Sequence, residues 1–425
     1  MSEHVFVGFG FGPIQAGLFA KEAFQSAHFG RMVVAEIDPS LVAALRANGG
    51  SYRVNVARAD GIEQVQIDGV ELLDPTEAQD AAVLRDALAG ATEIATCLPS
   101  VSFYDTGGGD SVAALIADAL HRRKTGATIV YAAENNNHAA EILQEAVSQR
   151  LGALLPGGVQ FLNTVIGKMS RVVTDPAEIT ERGLAPMAPG IDRAFLVEEF
   201  NRILVSETAI SGFRPGIEVF VEKDDLLPFE EAKLYGHNAI HALLGLIGTL
   251  KGCEKMTDLE SDKALMAVAS EAFITESGRA LIEKYASLGD ALFTEAGYRR
   301  YAEDLLVRMT NPYLGDTVAR AARDVLRKLG LHDRIFGTMS LALEHGIEPK
   351  NMAVGALAGV ALLLRTPVEY GLPDSLAQLS WQDISADDLG RLLEWVWQGQ
   401  TSPHTQTLIE HTHRAGTPLA NLLAK

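Results

Sequence analysis

The chain has 425 residues, of which 47% are hydrophobic and 21% are charged, a composition typical of a globular protein. That length suffices for two domains, since a single hydrophobic core rarely grows past about 250–300 residues. The net charge of −19 argues against a nucleic-acid partner, because phosphate contacts need clustered Lys and Arg side chains.

Three further features of the sequence bear on location. The cysteines, Cys97 and Cys253, have neither a disulfide-framework nor a metal-ligand spacing, which favours a reducing compartment. The opening MSEHVFVGFG lacks the basic and apolar regions of a secretory signal. The longest strongly apolar stretch, 352–364, is shorter than the about 20 residues needed to cross a bilayer. We therefore expect a cytoplasmic protein with no membrane partner.

In chain order, the first third alternates short apolar runs with helical stretches. The apolar runs have few polar interruptions, as expected of strands buried on both faces of a parallel sheet, and lie at 5–9, 32–37, 92–98 and 127–133. Helical stretches lie between them at 14–25, 39–47 and 111–124. This βαβ alternation predicts a doubly wound, Rossmann-like α/β domain, which we assign to residues 1–195.

The pattern changes beyond residue 195. A weak strand-like run occurs at 219–224, and helical periodicity then dominates in 228–250, 261–287, 297–309, 317–329 and 352–364. Residues 196–425 are therefore predicted to form a mainly α-helical domain. The stretch TSPHTQTLIEHTHRAG near the end carries three histidines but reads as a polar, irregular, solvated segment; no paired Cys or carboxylate ligands accompany them, so no metal site is expected.

The segment GFGFGPIQAG follows the first predicted strand and opens a helix, the context that a dinucleotide-binding fingerprint requires. Gly10 and Gly12 would let the backbone turn tightly and approach a pyrophosphate at the helix N-terminus. Ile14 and Gln15 start that helix, and Gln15 stands where the third glycine of the fingerprint should be. The pattern favours nucleotide binding over a purely structural turn.

The second predicted strand ends in two acids, Glu36 and Asp38. An acid at this position accepts hydrogen bonds from the ribose hydroxyls and repels a 2′-phosphate. Glu36 is the better candidate, because Asp38 precedes Pro39 and suits a helix cap. These residues predict NAD as the cofactor.

A cluster of polar side chains interrupts the apolar helix predicted at 228–250. Taking Lys233 as zero on a helix, His237 falls at about 40°, His241 at about 80° and Asn238 at about 140°, so all four share one side. A lysine desolvated in a closed site can act as the base that takes a hydroxyl proton, an asparagine amide can stabilise the resulting alkoxide, and a histidine can orient the substrate. His237 rivals His241 on geometry alone, and a solvated helix face is the alternative for the whole cluster.

The spacing Lys233-x4-Asn238-x2-His241-Ala242 resembles the catalytic signature of the polyol-specific long-chain dehydrogenases, the mannitol dehydrogenase family. Further segments resemble family blocks in order and spacing, namely YRVNV (52–56), AAENNNHAAEIL (132–143), FLNTVIGKM (161–169) and NPYLGDTVARAARDVLRKL (311–329). The last block is most similar to the mannitol-1-phosphate 5-dehydrogenase branch. The resemblance implies a metal-independent NAD-dependent oxidoreductase of carbohydrate metabolism that acts on a polyol, a ketose or a phosphorylated sugar as a monomer or a small homo-oligomer.

The resemblance also implies roles for individual residues. Lys233 would be the general base, His241 would hold the reacting hydroxyl, and Asn238 with Asn163 would form the oxyanion site. Glu230 would relay protons between the lysine and solvent, with the neighbouring Glu231 as an alternative. Substrate-binding cations fall at Arg320 and Lys328, for which a solvated helix face is again the alternative. Residues near the cofactor fall at Leu98, Pro99, Glu134 and Asn135. The substrate would bind in a cleft between the two domains.

The chain departs from the family pattern where Gly167 and Lys168 replace an Asp-Arg pair, and near Ser206, where an acid that contacts substrate in relatives is absent. The catalytic positions are kept while the substrate surroundings differ. Two alternatives therefore remain open. One is a reductase for a sugar acid or a phosphorylated polyol that binds its anion through Arg320, Lys328 and Lys168. The other is a nucleotide-binding protein that has lost turnover.

Overall fold

The computed structural model describes residues 4–424, which divide into two compact units between Leu227 and Pro228. The sequence-based boundary after residue 195 lies 32 residues (227 − 195) earlier than this division. The difference arises because two strands that follow residue 195 add to the sheet of the first unit rather than starting the second.

The first unit is an α/β structure with twelve strands in its described residues. In chain order they are β1 His4–Phe9, β2 Phe29–Ala35, β3 Tyr52–Ala57, β4 Ile62–Ile67, β5 Val70–Leu73, β6 Glu93–Thr96, β7 Thr128–Ala132, β8 Val159–Val165, β9 Ser170–Val173, β10 Ala194–Glu198, β11 Ile203–Ser206 and β12 Phe220–Lys223.

Eight of these strands form one sheet in the order β12-β11-β8-β7-β6-β1-β2-β5. The six strands from β5 to β8 are all parallel, and their order is that of the doubly wound dinucleotide-binding fold. β11 pairs antiparallel with β8, and β12 extends the edge parallel to β11. The Rossmann-like prediction is confirmed.

Successive side chains of the central strands point to opposite faces of the sheet, and this explains why the sequences of these strands are almost wholly apolar. In β1, Phe6 packs in the core on one face of the sheet while Val7 packs in the core on the other. In β7, Tyr131 packs in the same core as Phe6, and Val130 packs in the same core as Val7. Both faces are therefore buried, as the uninterrupted runs predict.

Helices cover the sheet and several begin at a side-chain cap. Asp38 accepts hydrogen bonds from the backbone N–H groups of Ser40 and Leu41, with Pro39 in the first turn. The α-helices of this unit are Ala20–Ser26, Pro39–Ala47, Ala78–Ala89, Val112–His121, Ala139–Leu151 and Pro176–Glu181, with a π-helical turn at Gln15–Phe19 and 3-10 turns at Val101–Phe103 and Gly108–Asp110.

A second, four-stranded sheet has the order β4-β3-β10-β9. β3 pairs antiparallel with β4 and parallel with β10, and β10 pairs antiparallel with β9. This sheet was not predicted from the sequence. The strand β4 is half exposed and reads IEQVQI, so it lacks the continuous apolar run that marks the central strands.

The second unit is helical, which confirms that prediction; within 228–424 the only β-pairing is a single bridge between Lys255 and Thr317. Its α-helices are Leu227–Glu231, Ala239–Leu250, Lys263–Glu271, Arg279–Lys284, Glu295–Met309, Val318–Ala322, Val325–Lys328, Arg334–Glu344, Lys350–Arg365, Pro367–Tyr370, Asp374–Ala377, Ala386–Val396, Thr405–Arg414 and Gly416–Leu423. π-helical turns occur at Ala232–Asn238 and Ala272–Gly278, and 3-10 turns at Met256–Leu259, Ala286–Leu288 and Ala291–Phe293.

The buried helix Ala239–Leu250 lies at the centre of this unit. A Cβ atom added at Gly245 would lie 2.6 Å from Ala321, and one added at Gly355 would lie 3.1 Å from Leu243, so glycines let neighbouring helices approach closely. The apolar stretch 352–364 is the inside of helix Lys350–Arg365. None of the described helices is long and apolar enough to span a membrane.

Two local predictions are wrong. The helix predicted at 317–329 is broken, because Asp324 adopts a left-handed conformation (φ 60°) that separates Val318–Ala322 from Val325–Lys328. The segment predicted as irregular near the end contains helix Thr405–Arg414, which forms because Leu408, Ile409 and Thr412 share one buried face.

Candidate active site

The glycine-rich turn lies at the carboxyl end of β1. Gly10 has φ +77°, its N–H donates to the carbonyl of Ala35 (2.9 Å), and a Cβ there would lie 2.9 Å from the carbonyl oxygen of Cys97. Only glycine meets both conditions. At Gly12 an added Cβ would meet nothing within 4 Å, which leaves open space beside the helix start where a pyrophosphate could approach.

Glu36 follows directly after β2 and is held against this turn. One carboxylate oxygen accepts a hydrogen bond from the N–H of Phe11 (2.7 Å), and the other accepts from Ile37 (2.8 Å) and Asp38 (2.9 Å). Asp38 instead caps its helix and pairs with Arg193 (2.5 Å), and this hydrogen-bonded pair lowers the pKa of Asp38. The structure thus places Glu36 at the turn and gives Asp38 the cap role.

The two candidate cofactor-binding residues at the start of the first helix, Ile14 and Gln15, lie in different surroundings. Ile14 is partly buried and packs against the core. Gln15 is fully buried, both polar atoms of its amide have no hydrogen-bond partner, and a Cβ added at Gly8 would lie 2.1 Å from its Nε2 atom. Its side chain therefore faces the sheet, which leaves only the main chain of Gln15 for the predicted cofactor contact.

Glu134 ties together the carboxyl ends of β6 and β7. Its carboxylate accepts hydrogen bonds from Thr96 Oγ1 (2.9 Å), the N–H of Leu98 (2.8 Å) and the hydroxyl of Tyr104. Burial raises its pKa despite these donors. The loop that carries Leu98 and Pro99 is thus anchored by Glu134, while the adjacent Asn135 is exposed.

Asn163, in β8, is held by the helix Ala139–Leu151. Its Oδ1 atom accepts from the N–H of Ala140 (2.8 Å), and its Nδ2 atom donates to Glu141 Oε2 (2.8 Å). The amide nitrogen retains a second N–H, so these contacts fix the side chain without using all of its donors.

In the second unit, Lys233, His237 and Asn238 lie on the π-helical turn Ala232–Asn238, which continues into helix Ala239–Leu250. A π-turn closes i→i+5 hydrogen bonds, so residues five apart stack on one side. Lys233 and Asn238 have this spacing, whereas a regular α-helix would turn them about 140° apart. The turn therefore aligns the two groups better than the sequence alone predicts.

Lys233 is partly buried and has a shifted pKa. Burial, together with the positive charge of Arg334, lowers the pKa of Lys233 to about 8, although the negative charge of Glu230 acts in the opposite direction. The neutral amine is thus accessible near physiological pH. The neighbouring Glu231 binds Lys284 (2.7 Å) and Tyr285 (2.7 Å), so Glu230 is the acid that acts on this lysine.

The two histidines have distinct environments. His237 is buried, and burial followed by the charge of Arg308 lowers its pKa well below the usual range. His241 is partly exposed, and its Nε2 atom lies 2.8 Å from Oδ2 of the buried Asp316. Asp316 also accepts a hydrogen bond from Arg320 (2.9 Å). The contact with Asp316 distinguishes His241 from its rival.

The predicted substrate cations also differ. Arg320 is exposed and held by Asp316, whereas the side chain of Lys328 is buried. The break at Asp324 explains the difference, because the short helix after it turns Lys328 inward and leaves Arg327 exposed. Burial and the positive charge of Arg334 lower the pKa of Lys328 to about 8.

Comparisons with known proteins identify the family of the chain. The sequence model of the mannitol dehydrogenase C-terminal domain matches residues 225–369. The mannitol-1-phosphate 5-dehydrogenase of Brevibacillus brevis is 27% identical over 382 residues, which cover 89% of this chain and 91% of the relative. The enzyme of the same description from Pseudarthrobacter chlorophenolicus is 30% identical over 368 residues, which cover 85% of this chain and 86% of the relative. The chain belongs to the mannitol dehydrogenase family.

Two solved structures share its fold. A D-sorbitol dehydrogenase in substrate-free form has a TM-score of 0.78 at 16% identity, covering 99% of this chain and 94% of its own. The Pseudomonas fluorescens mannitol 2-dehydrogenase, solved as a ternary complex with NAD and D-mannitol, has a TM-score of 0.70 at 17% identity, covering 100% and 94%. The two-part α/β and helical architecture is thus that of the mannitol dehydrogenase family.

Three residues next to the predicted site of this family member were not found from the sequence. They are Tyr104, Asp316 and Arg334. The sequence contains a signal for Asp316, because an acid four residues before Arg320 in a predicted helix predicts an ion pair between the two. Tyr104 and Arg334 carried none, because tertiary folding alone brings them to Glu134 and Lys233.

Lys168 does not fit the alternative in which it binds an anion of the substrate. The buried ammonium of Lys168 donates to the carbonyls of Glu198 (2.5 Å) and Phe200 (2.8 Å) and to Asn201 Oδ1 (3.3 Å). These contacts anchor the loop after β10, so Lys168 is a structural residue of the first unit.

Proposed function

We propose that the protein is an NAD(H)-dependent oxidoreductase that interconverts a secondary alcohol of a polyol or polyol phosphate and the matching ketose, with Lys233 as the general base. The observation that carries this proposal is the lowered pKa of Lys233, about 8, on the helical element that also holds Asn238 and His241. A base with a pKa near the working pH is what proton abstraction from an alcohol requires.

In the direction of oxidation, neutral Lys233 takes the hydroxyl proton. The amide N–H of Asn238 donates to the alkoxide oxygen as its charge develops, and the family resemblance gives Asn163 the same role. His241 holds the substrate in place. Glu230, whose negative charge acts on Lys233, passes the proton on toward solvent. The reverse sequence protonates the oxygen of the ketose.

NAD, when bound, would supply the hydride acceptor. The residues of the first unit fit this cofactor, because Gly12 leaves open space at the turn and Glu36 is fixed where it can accept hydrogen bonds from ribose hydroxyls. The negative charge of Glu36 disfavours a 2′-phosphate. The structurally similar mannitol 2-dehydrogenase, described with NAD, supports the same choice.

The substrate end that lies near Lys328 is proposed to be anionic. Lys328 is 9% exposed, and its ammonium forms no ion pair with any residue of the described chain. Burial is the largest cause of its lowered pKa, followed by the positive charge of Arg334. A phosphate would offset it, and the two mannitol-1-phosphate 5-dehydrogenase relatives make a polyol phosphate the first choice.

The test is an NADH-production screen of polyols, polyol phosphates and sugar acids with the wild type, Lys233→Ala and Lys328→Met side by side. We expect turnover of a polyol phosphate by the wild type, loss of turnover in Lys233→Ala, and a raised KM with little change in kcat in Lys328→Met. Equal turnover of plain and phosphorylated polyols would remove the anionic assignment. A preference for sugar acids would favour the reductase alternative.

A protein that binds NADH but turns over no substrate would instead support the alternative of a nucleotide-binding protein without activity. NADH fluorescence titration of the wild type separates this outcome from a misfolded preparation. Activity retained in Lys233→Ala would show that the base lies elsewhere.

A further inference from the structure

Asp316 contacts two of the predicted site residues at once, the catalytic His241 and the substrate-binding Arg320. Its Oδ2 atom lies 2.8 Å from His241 Nε2, and its Oδ1 atom accepts hydrogen bonds from Arg320 Nη1 (2.9 Å) and the N–H of Thr317 (2.9 Å). Its side chain is 1% exposed. A carboxylate so buried and so fully bonded holds both partners in fixed orientations.

The ionised state of Asp316 determines which ring nitrogen of His241 carries a proton. Burial alone would raise the pKa of Asp316, but the hydrogen bonds from His241 and Arg320 and the charge of Arg320 outweigh it, and the pKa lies well below its usual range. The ionised carboxylate only accepts hydrogen bonds, so Nε2 must carry the proton. In neutral His241 the other ring nitrogen, Nδ1, is then an acceptor. No described residue supplies Nδ1 with a hydrogen-bond partner.

We propose that Asp316 is a positioning residue that fixes His241 as the Nε2–H tautomer, so that Nδ1 accepts a hydrogen bond from the substrate hydroxyl next to the one that reacts, and that it sets the spacing between this acceptor and the Arg320 guanidinium. The proposal rests on the proposed function. It also divides the work between two oxygens of the substrate. Asn238 and protonated Lys233 donate to the reacting alkoxide or carbonyl oxygen, whereas His241 accepts from the neighbouring hydroxyl.

The alternative is that Asp316 only holds the fold together. Its carboxylate bonds to Thr317, and its carbonyl accepts from the N–H of Met256 (3.0 Å), so its loss could loosen this turn. A matched control exists elsewhere in the second unit. Asp262 pairs with Lys251 (2.8 Å) at the far end of helix Ala239–Leu250 and is also a largely buried carboxylate.

The first measurement is the ring-nitrogen NMR spectrum of the wild-type protein labelled with ¹⁵N-histidine, with the His241 signals assigned by their loss in His241→Gln. We expect a protonated Nε2 and an unprotonated Nδ1. A protonated Nδ1 would overturn the proposal. This result depends neither on turnover nor on any Asp316 variant folding, so it is separate from the fate of Lys233 as the base.

The second measurement compares Asp316→Asn with Asp262→Asn. Asparagine can donate as well as accept, so the tautomers of His241 should mix in Asp316→Asn, and kcat/KM for alcohol oxidation should fall by about 10- to 100-fold, with NADH affinity unchanged. Asp262→Asn should keep both the His241 spectrum and kcat/KM. An equal fall in both variants, or an unchanged His241 spectrum in Asp316→Asn, would show that Asp316 acts only through the fold.

Discussion

Replacing Lys233 by methionine should inactivate the enzyme and at the same time stabilise the fold. The folded protein lowers the pKa of this lysine from 10.5 to about 8, chiefly by burial. Since a tenfold change in a proton-binding constant corresponds to about 1.4 kcal/mol, keeping the protonated lysine in place destabilises the fold by up to about 3 kcal/mol. Methionine has a similar length and carries no charge to desolvate.

The sign of the pH dependence follows from proton counts. Between about pH 8 and 10.5 the unfolded chain keeps the Lys233 proton while the folded chain has lost it, so the free energy of unfolding rises with pH across this window. The destabilisation is complete below pH 8 and absent above 10.5. The gain in stability of Lys233→Met over the wild type should therefore be largest near neutral pH and shrink as the pH rises.

Lys328→Met is the matched control, because Lys328 is buried and its pKa, like that of Lys233, is lowered to about 8. Urea unfolding should show a similar gain in stability for both variants. Activity should separate them. The kcat for oxidation should rise through about pH 8 in the wild type and in Lys328→Met, whereas Lys233→Met should lose about 10²- to 10⁴-fold in kcat, the usual contribution of a general base.

Three results would refute this reasoning. Lys233→Met could be less stable than the wild type near neutral pH, which would mean that the lysine is held by favourable contacts that outweigh its desolvation. Lys233→Met could keep the kcat of the wild type. Or the rise of kcat with pH could disappear in Lys328→Met and not in Lys233→Met, which would move the titrating group to the other lysine.

The remaining predictions concern the nucleotide-binding turn. Gly10→Ala should lower the free energy of unfolding by about 1–3 kcal/mol, because its φ is +77° and the new Cβ would crowd the carbonyl of Cys97. Its matched control, Gly12→Ala, should keep its stability and weaken NADH binding only, as urea unfolding and NADH fluorescence can check; equal stability of the two variants would contradict the assignment. Gln15→Leu should stabilise the protein by about 1–2 kcal/mol, since it removes two buried amide atoms without partners, and a loss of NADH affinity in this variant would show that the side chain reaches the cofactor. Glu36→Gln should lower the ratio of kcat/KM for NAD over NADP at least about tenfold, a change of about 1.4 kcal/mol; an unchanged ratio would mean that another group selects the cofactor.

Much of the fold was predictable because the relevant signals are local. The central strands of the parallel sheet are buried on both faces, so their apolar runs are visible without knowing their partners. The small sheet was missed because β4 is half exposed and polar, and its pairing with β3 is not evident from its own residues. Helix Thr405–Arg414 was missed because only three of its residues are buried.

The sequence by itself determined the α/β and helical order of the chain, the glycine turn followed by Glu36, and the spacing of Lys233, Asn238 and His241. These features depend on residues close together in the chain. Only the tertiary structure decided the chemistry of the site. The π-helical turn aligns Lys233 with Asn238, Asp316 reaches His241 across 75 positions, and Arg334 acts on a lysine 101 positions (334 − 233) away. A pKa and a tautomer depend on burial and on neighbouring charges, and distant segments of the chain supply both.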